Sequence, residues 1–274
     1  MDLMLSDTPV VITGGSRGIG RALAVAFARE GARVAICGRD RGALAQTASL
    51  VRDAGADCLT VHADLLRAED CQKVVDEAAA RFGSLKVLVN NASSSADKTP
   101  RFLEEASDSQ IMERINGKLL AAVRCSRAAI PHMRRAGSGR IIHIGGTAAR
   151  SVFRAGEVPG NGSGLPQGLG NAALSNFSKH LSEEVIGAKI LVNVVHPHVT
   201  RTDRHAARVT RKAEELGVSE SEADEAIARQ FPLGRIIEVD DITPLVLFLA
   251  SPLASAITGQ AIAVDGGAAR SIMY

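Results

Sequence analysis

Thr13-Gly14-Gly15-Ser16-Arg17-Gly18-Ile19-Gly20 follows the apolar run Val10-Val11-Ile12. Glycine lets a backbone turn tightly and come close to a bulky anion. A helix starting at that point adds free N–H groups and the positive end of its dipole. Those are the needs of a dinucleotide pyrophosphate. The glycine spacing is GxxxGxG, not the more general GxGxxG. Gly14, Ser16, Arg17, Gly18, Ile19 and Gly20 are the candidate phosphate contacts. Folds that bind NAD place an acid about 20 residues further on, against the ribose 2′-hydroxyl. Here the second apolar run ends Cys37-Gly38-Arg39. An arginine there pairs with a 2′-phosphate, helped by Arg17, so NADP(H) is expected over NAD(H). Asp40, next in the chain, weakens that preference slightly.

These residues need elements to hold them. Short apolar runs alternate with amphipathic stretches along the chain. Strands are expected at Val10–Ile12, Arg33–Cys37, Leu59–His62, Val87–Val89, Ile141–Ile144, Ile190–Val195 and Ala261–Val264. Helices are expected at about 21–29, 41–54, 67–81, 109–135 and 172–186, with a break in the long one near Pro131. Alternation of this kind implies βαβ crossovers in an α/β fold, with a doubly wound parallel sheet and helices on both faces. Residues 147–166 include the run GEVPGNGSGLP and are expected to be an inserted loop. Residues 201–231 are charged and helix-prone, and are expected to form a lid over the sheet's C-terminal edge or a solvated surface helix.

The chain has 274 residues, of which 46% are hydrophobic and 23% charged, with 32 basic residues against 30 acidic. That composition supports one domain with its own core, and the near balance of charge argues against nucleic acid or an anionic membrane as partner. Trp is absent, so a base-stacking platform is not expected. Cys37, Cys58, Cys71 and Cys125 form no CxxC pair and have no zinc-ligand spacing, as expected of reduced thiols in a cytoplasmic protein. The N-terminus lacks the features of a signal peptide, and no run reaches the ~18 apolar residues of a membrane span.

Further motifs follow in order, and with them the chain resembles the short-chain dehydrogenase/reductase family. TGGSRGIG looks like the family's cofactor loop, and Asp64-Leu65 like its adenine-contacting segment. Asn90-Asn91-Ala92-Ser93 is similar to its NNAG, which adds Asn91 and Ala92 to the cofactor candidates. Asn116 matches its structural and catalytic Asn, and Val264-Asp265-Gly266-Gly267 its C-terminal ending. Thr202 matches the Thr after the family's Pro-Gly. The resemblance runs from Val10 to Gly267. It implies a single-domain Rossmann-type fold, a nicotinamide cofactor, a small-molecule substrate, and a homodimer or homotetramer.

The family's proton chemistry is where the pattern breaks. A Tyr moves the proton, a Lys lowers its pKa, and a Ser polarises the substrate oxygen. No YxxxK is present, because the only Tyr is Tyr274. One register takes Lys179 as the Lys and puts Ser175 at the Tyr position. The other runs without a gap from Gln167 to Asp203 and is preferred. It puts Gln167 at the Tyr position, Asn171 at the Lys position and Gly146 at the Ser position. Amides donate and accept hydrogen bonds but do not titrate near neutral pH. Thr147 is the candidate substitute hydroxyl and His198 the candidate titrating group. His196, His143 and Glu157 are weaker candidates. Three functions remain open. One is an NADP(H)-dependent oxidoreductase with a remodelled proton relay. The second is a non-redox cyclase, dehydratase or isomerase. The third is a non-catalytic NADP(H)-binding protein.

Overall fold

The computed structural model describes residues 1–93, 103–151 and 165–269. Seven parallel strands form one sheet: β1 (Pro9–Thr13), β2 (Arg33–Gly38), β3 (Cys58–His62), β4 (Val87–Asn90), β5 (Gly139–Ile144), β6 (Ile190–Pro197) and β7 (Ala261–Val264). Their order is β3-β2-β1-β4-β5-β6-β7, so the direction of winding reverses between β1 and β4. That reversal opens a crevice at the strands' C-terminal ends, where ligands bind in open sheets of this kind. The register sets Val10–Ile12 of β1 against Val34–Ile36 on one side and Val87–Val89 on the other. Both faces are covered, which is why the central strands are continuously apolar.

The helices are α1 (Gly18–Arg29), α2 (Arg41–Asp53), α3 (Ala68–Phe82), α4 (Asp108–Ile115), α5 (Ala121–Arg135), α6 (Leu165–Val185), α7 (Asp203–Leu216), α8 (Glu220–Ala228) and α9 (Val239–Ala250). On one face Leu23 and Phe27 of α1 pack with Ile242 and Val246 of α9. On the other, Val74 and Ala78 of α3 pack with Cys125 and Ala129 of α5 and Leu181 of α6. Cys37, Cys71 and Cys125 are buried free thiols in this second layer. Among the described residues no helix is long and apolar enough to cross a membrane.

Three expectations need correction. The long helix does not break at Pro131, which lies inside α5. The fixed φ of Pro suits a helix, and the hydrogen bond it forgoes is offset by the packing of Cys125, Ala129 and Met133. The interruption comes earlier, as a π-helical turn over Asn116–Leu120 between α4 and α5. Helix α6 starts at Leu165, inside the expected loop 147–166 and seven residues before the expected helix start at 172, so Gln167 and Asn171 are helical. Pro166 fits a helix's first turn. Gly168 lets the helix come close to the chain after β5, since a Cβ there would stand 3.0 Å from the Ala148 carbonyl. Helix α9 was not expected at all, because Pro244 and the run Leu245–Ala250 obscure its period. Most of the expected inserted loop, with Glu157, and Tyr274 lie outside the described residues.

Candidate functional site

The turn after β1 is shaped by contacts that exclude side chains. Gly14 and Gly18 have φ of +64° and +54°. A Cβ on Gly20 would fall 2.2 Å from the Gly14 carbonyl oxygen, and one on Gly15 would fall 2.6 Å from Ile36 Cγ2. The loop is tied down from both sides. Asn91 Nδ2 donates to the Thr13 and Gly14 carbonyls at 3.0 Å each, and the Asn91 and Ala92 N–H groups both donate to Thr13 Oγ1. The Ser16 carbonyl accepts from Arg21 Nη2 at 2.9 Å and from Thr47 Oγ1 at 3.0 Å. Asn91 and Ala92 therefore brace the loop. Arg21 and Thr47 do the same and carry no motif that would mark them in the sequence.

Arg17 stands at the N-cap of α1 and makes no side-chain capping bond, and the first turn carries no acid. That helix start is open to an anion. Thr202 stands over it, since a Cβ on Gly18 would lie 3.4 Å from Thr202 Cγ2. Ile19 is partly buried and packs onto the α1–α9 layer. A glycine cradle with no room for side chains and an uncapped helix start fit a dinucleotide pyrophosphate.

At the far end of the crevice Arg17 Nη2 pairs with Asp40 Oδ2 at 2.6 Å. Asp40 Oδ1 also caps α2 by accepting from the Ala43 N–H at 3.0 Å. The Ala43 N–H, and after it the Arg17 guanidinium, hold the Asp40 carboxyl below its ordinary pKa. Asp40 thus draws Arg17 onto itself, while Arg39 is exposed at the end of β2. Asp64 Oδ1 accepts from the Leu66 N–H at 3.2 Å, and Leu65 is buried in the α3–α5 layer.

The chain after β5 brings together several candidates that are distant in sequence. Thr147 Oγ1 and His198 Nδ1 are 2.7 Å apart, and the His198 ring meets Phe231 edge-on at 4.9 Å. Burial, opposed by Asp265 and reinforced by Arg208, pulls His198 down to about 4, so it is a neutral imidazole near pH 7. The Gly146 N–H donates to His196 Nδ1 at 3.0 Å, which leaves the His196 proton on Nε2, facing Ser175 Oγ at 3.0 Å. Ser175 Oγ in turn donates to the Asn171 carbonyl at 3.0 Å. Both His196 nitrogens are thereby committed, and burial, Arg150 and Lys118 lower it to about 4. His143 is a core histidine, bonded to Asn90 Nδ2 at 3.2 Å and tilted against Phe177.

Asn171 is 9% exposed and lies against Gly146, where a Cβ would be 3.0 Å from Asn171 Nδ2. Its Oδ1 is buried and has no hydrogen-bond partner among the described residues. Gln167 is partly buried in the first turn of α6, which packs on Thr147–Ala149. Asn116 opens the π-helical turn, its carbonyl accepting from the Ala121 N–H. Within that turn Lys118 Nζ bonds the Ile144 carbonyl, a placement with no sequence signal beyond proximity to Asn116. Among the described residues no cluster of His, Cys, Asp and Glu is arranged to hold a metal ion.

Comparison with known proteins extends these observations. A family model described as enoyl-(acyl carrier protein) reductase matches residues 14–269. A short-chain type dehydrogenase/reductase of Picea abies is 30% identical, over 96% of this chain and 93% of that protein. A probable galactose dehydrogenase of Rhizobium meliloti is 32% identical, over 96% of this chain and 95% of that protein. Among solved structures, L-sorbose reductase from Gluconobacter frateurii complexed with NADPH and L-sorbose is 31% identical. It superposes with a TM-score of 0.90 and covers 99% of this chain and 100% of that one.

Proposed function

The chain belongs to the short-chain dehydrogenase/reductase family, and on that premise we propose that it is an NADP(H)-dependent oxidoreductase of small molecules with a non-standard active site. The observation that carries this reading is the glycine cradle, whose Gly20 contact with Gly14 leaves room for backbone alone. The NADPH held by the similar sorbose reductase supports the same cofactor. Gly14, Ser16, Gly18, Ile19 and Gly20 would hold the pyrophosphate, with Thr202 above it. Asn91 and Ala92 keep the loop in place, Asp64-Leu65 lies toward the adenine, and Arg39 takes the 2′-phosphate. When bound, the cofactor supplies hydride.

Gly146, Gln167 and Asn171 occupy the positions of the family's Ser, Tyr and Lys in this reading. Thr147 then provides the hydroxyl that Gly146 lacks. His198, with its proton on Nδ1, donates to Thr147 Oγ1 and leaves the threonine O–H free to hydrogen-bond the substrate oxygen. The Gln167 amide orients the substrate. Asn171 Oδ1 accepts from a hydroxyl or a water at the same point. Asn116 supports the turn that faces them. Residues 201–231 (α7 and α8) act as the lid, and a homodimer or homotetramer belongs to the same reading.

A second reading is favoured by the amides themselves. Because Gln167 and Asn171 do not titrate, a non-redox enzyme that keeps its cofactor as structure would need no change to them. Titration of the purified protein with NADPH and with NADH, followed by nicotinamide fluorescence, tests the cofactor part. NADPH is expected to bind at least about tenfold more tightly, worth about 1.4 kcal/mol, and Arg39→Ala to abolish the difference. Equal affinities would refute the NADP(H) preference, and no binding would refute the reading.

A further inference from the structure

Lys118 is the third residue of the π-helical turn over Asn116–Leu120. A π-turn fits one extra residue into a helix and re-aims the side chains it carries. Here the partly buried Lys118 side chain runs along α6. A Cβ on Gly170 would stand 3.6 Å from Lys118 Cβ and 3.8 Å from Cγ. The side chain ends at the Ile144 carbonyl, the last of β5 and two residues before Gly146. The residue after Gly170 is Asn171, whose unpartnered Oδ1 lies beside Gly146. An amine therefore ends at the last carbonyl of β5, two residues before Gly146, and the Asn171 amide lies against that same glycine.

We propose that Lys118 is the proton donor of this site, its ammonium giving a proton to the oxygen of a carbonyl substrate placed beside Gly146 and Thr147. The inference rests on the oxidoreductase reading and deepens it. The carbonyl carbon gains hydride from a dihydronicotinamide. The C=O π pair moves to oxygen, and that oxygen takes a proton from the Lys118 ammonium. An alcohol and a neutral amine result, and the amine regains a proton from solvent.

The surroundings suit the task. Burial, with Arg204 of α7 adding repulsion, lowers Lys118 to about 8, a range in which an ammonium both persists and gives up a proton. The other titratable groups facing it are His143 of β5 and His196 of β6, lowered to about 3 and about 4 and so neutral near pH 7.

The test combines a titration with kinetics. The lysine amines of the ¹⁵N-labelled protein are followed by NMR against pH. One is expected to titrate near 8, to be missing in Lys118→Met, and to shift when NADP⁺ is added. In parallel, NADPH oxidation is measured with 2,3-butanedione as probe. Wild type is expected to lose activity as pH rises through about 8. Lys118→Met is expected to lose that limb and to fall about 10²–10⁴-fold in rate with an unchanged NADPH Kd. Ethylammonium is expected to restore part of the rate to Lys118→Ala. Ordinary titration of every lysine, survival of the alkaline limb in Lys118→Met, or a dione left untouched by wild type with NADPH bound would each overturn the proposal. If NADPH does not bind to wild type at all, the oxidoreductase reading fails first and takes this one with it.

Discussion

A threonine hydroxyl does not titrate near neutral pH, so what Thr147 can do depends on its partner. His198 Nδ1, 2.7 Å away, fixes the direction of the hydroxyl, and the low pKa of His198 keeps the imidazole uncharged while it does so. In the proposed reading such a pair would polarise a substrate oxygen without supplying the proton. Replacing Thr147 with Val removes one donor to that oxygen and should lower carbonyl turnover by about 10²–10³-fold while leaving the NADPH Kd unchanged. Parallel measurement of kcat/KM and NADPH affinity checks this, and a matching loss of both would make Thr147 a structural residue. Thr147 and His198 are each legible in the sequence, one beside Gly146 at the expected Ser position and the other after Pro197, where the family resemblance expects Gly. Their pairing was not, because it depends on β5 and β6 being neighbours. Lys118 was missed because a side chain's aim within a π-turn follows no period.

The glycine loop works because a strand and a helix meet at a point where backbone touches backbone. Gly20→Ala would push a methyl into the Gly14 carbonyl at 2.2 Å. It should destabilise the protein by about 1–3 kcal/mol and remove the thermal stabilisation that NADPH gives. Gly42→Ala in α2, where the new Cβ meets only Asp40 Oδ1 at 3.4 Å, should leave both unchanged. Melting curves with and without NADPH separate the two, and unaltered NADPH stabilisation in Gly20→Ala would argue against a cofactor at the cradle. The same contrast explains what could be read at this scale. All seven strands were found within a few residues, since parallel strands buried on both faces are plain apolar runs. The start of α6 is hidden in the sequence because Pro166 ends a Gly- and Pro-rich run that reads as turn, and Gly168 and Gly170 are weak helix formers, yet Gly168 serves close packing on Ala148. Helix α9 was hidden by Pro244 inside an almost unbroken apolar run, which burial against α1 demands.

At the scale of the whole molecule, the sheet order decides which strand ends are neighbours. The reversal between β1 and β4 opens a crevice at the strands' C-terminal ends, and the ends of β5 and β6 bring Gly146, Thr147, His196 and His198 together. Thr202, the N-cap residue of α7, stands over Gly18, and Arg204 in that helix's first turn acts electrostatically on Lys118. Alternating strands and helices announced the layers, whereas the strand order and this convergence are properties of the folded chain alone. The central claim is that a site without a titrating Tyr still accepts hydride chemistry. It is tested most directly by incubating the protein with NADPH deuterated at C4 and a panel of ketones, aldehydes and activated alkenes, then weighing the products by mass spectrometry. The account predicts one deuterium on the reduced carbon of one substrate class, with an equal amount of NADP⁺ formed. Conversion without deuterium or NADP⁺, or no conversion of any member of the panel, would contradict it.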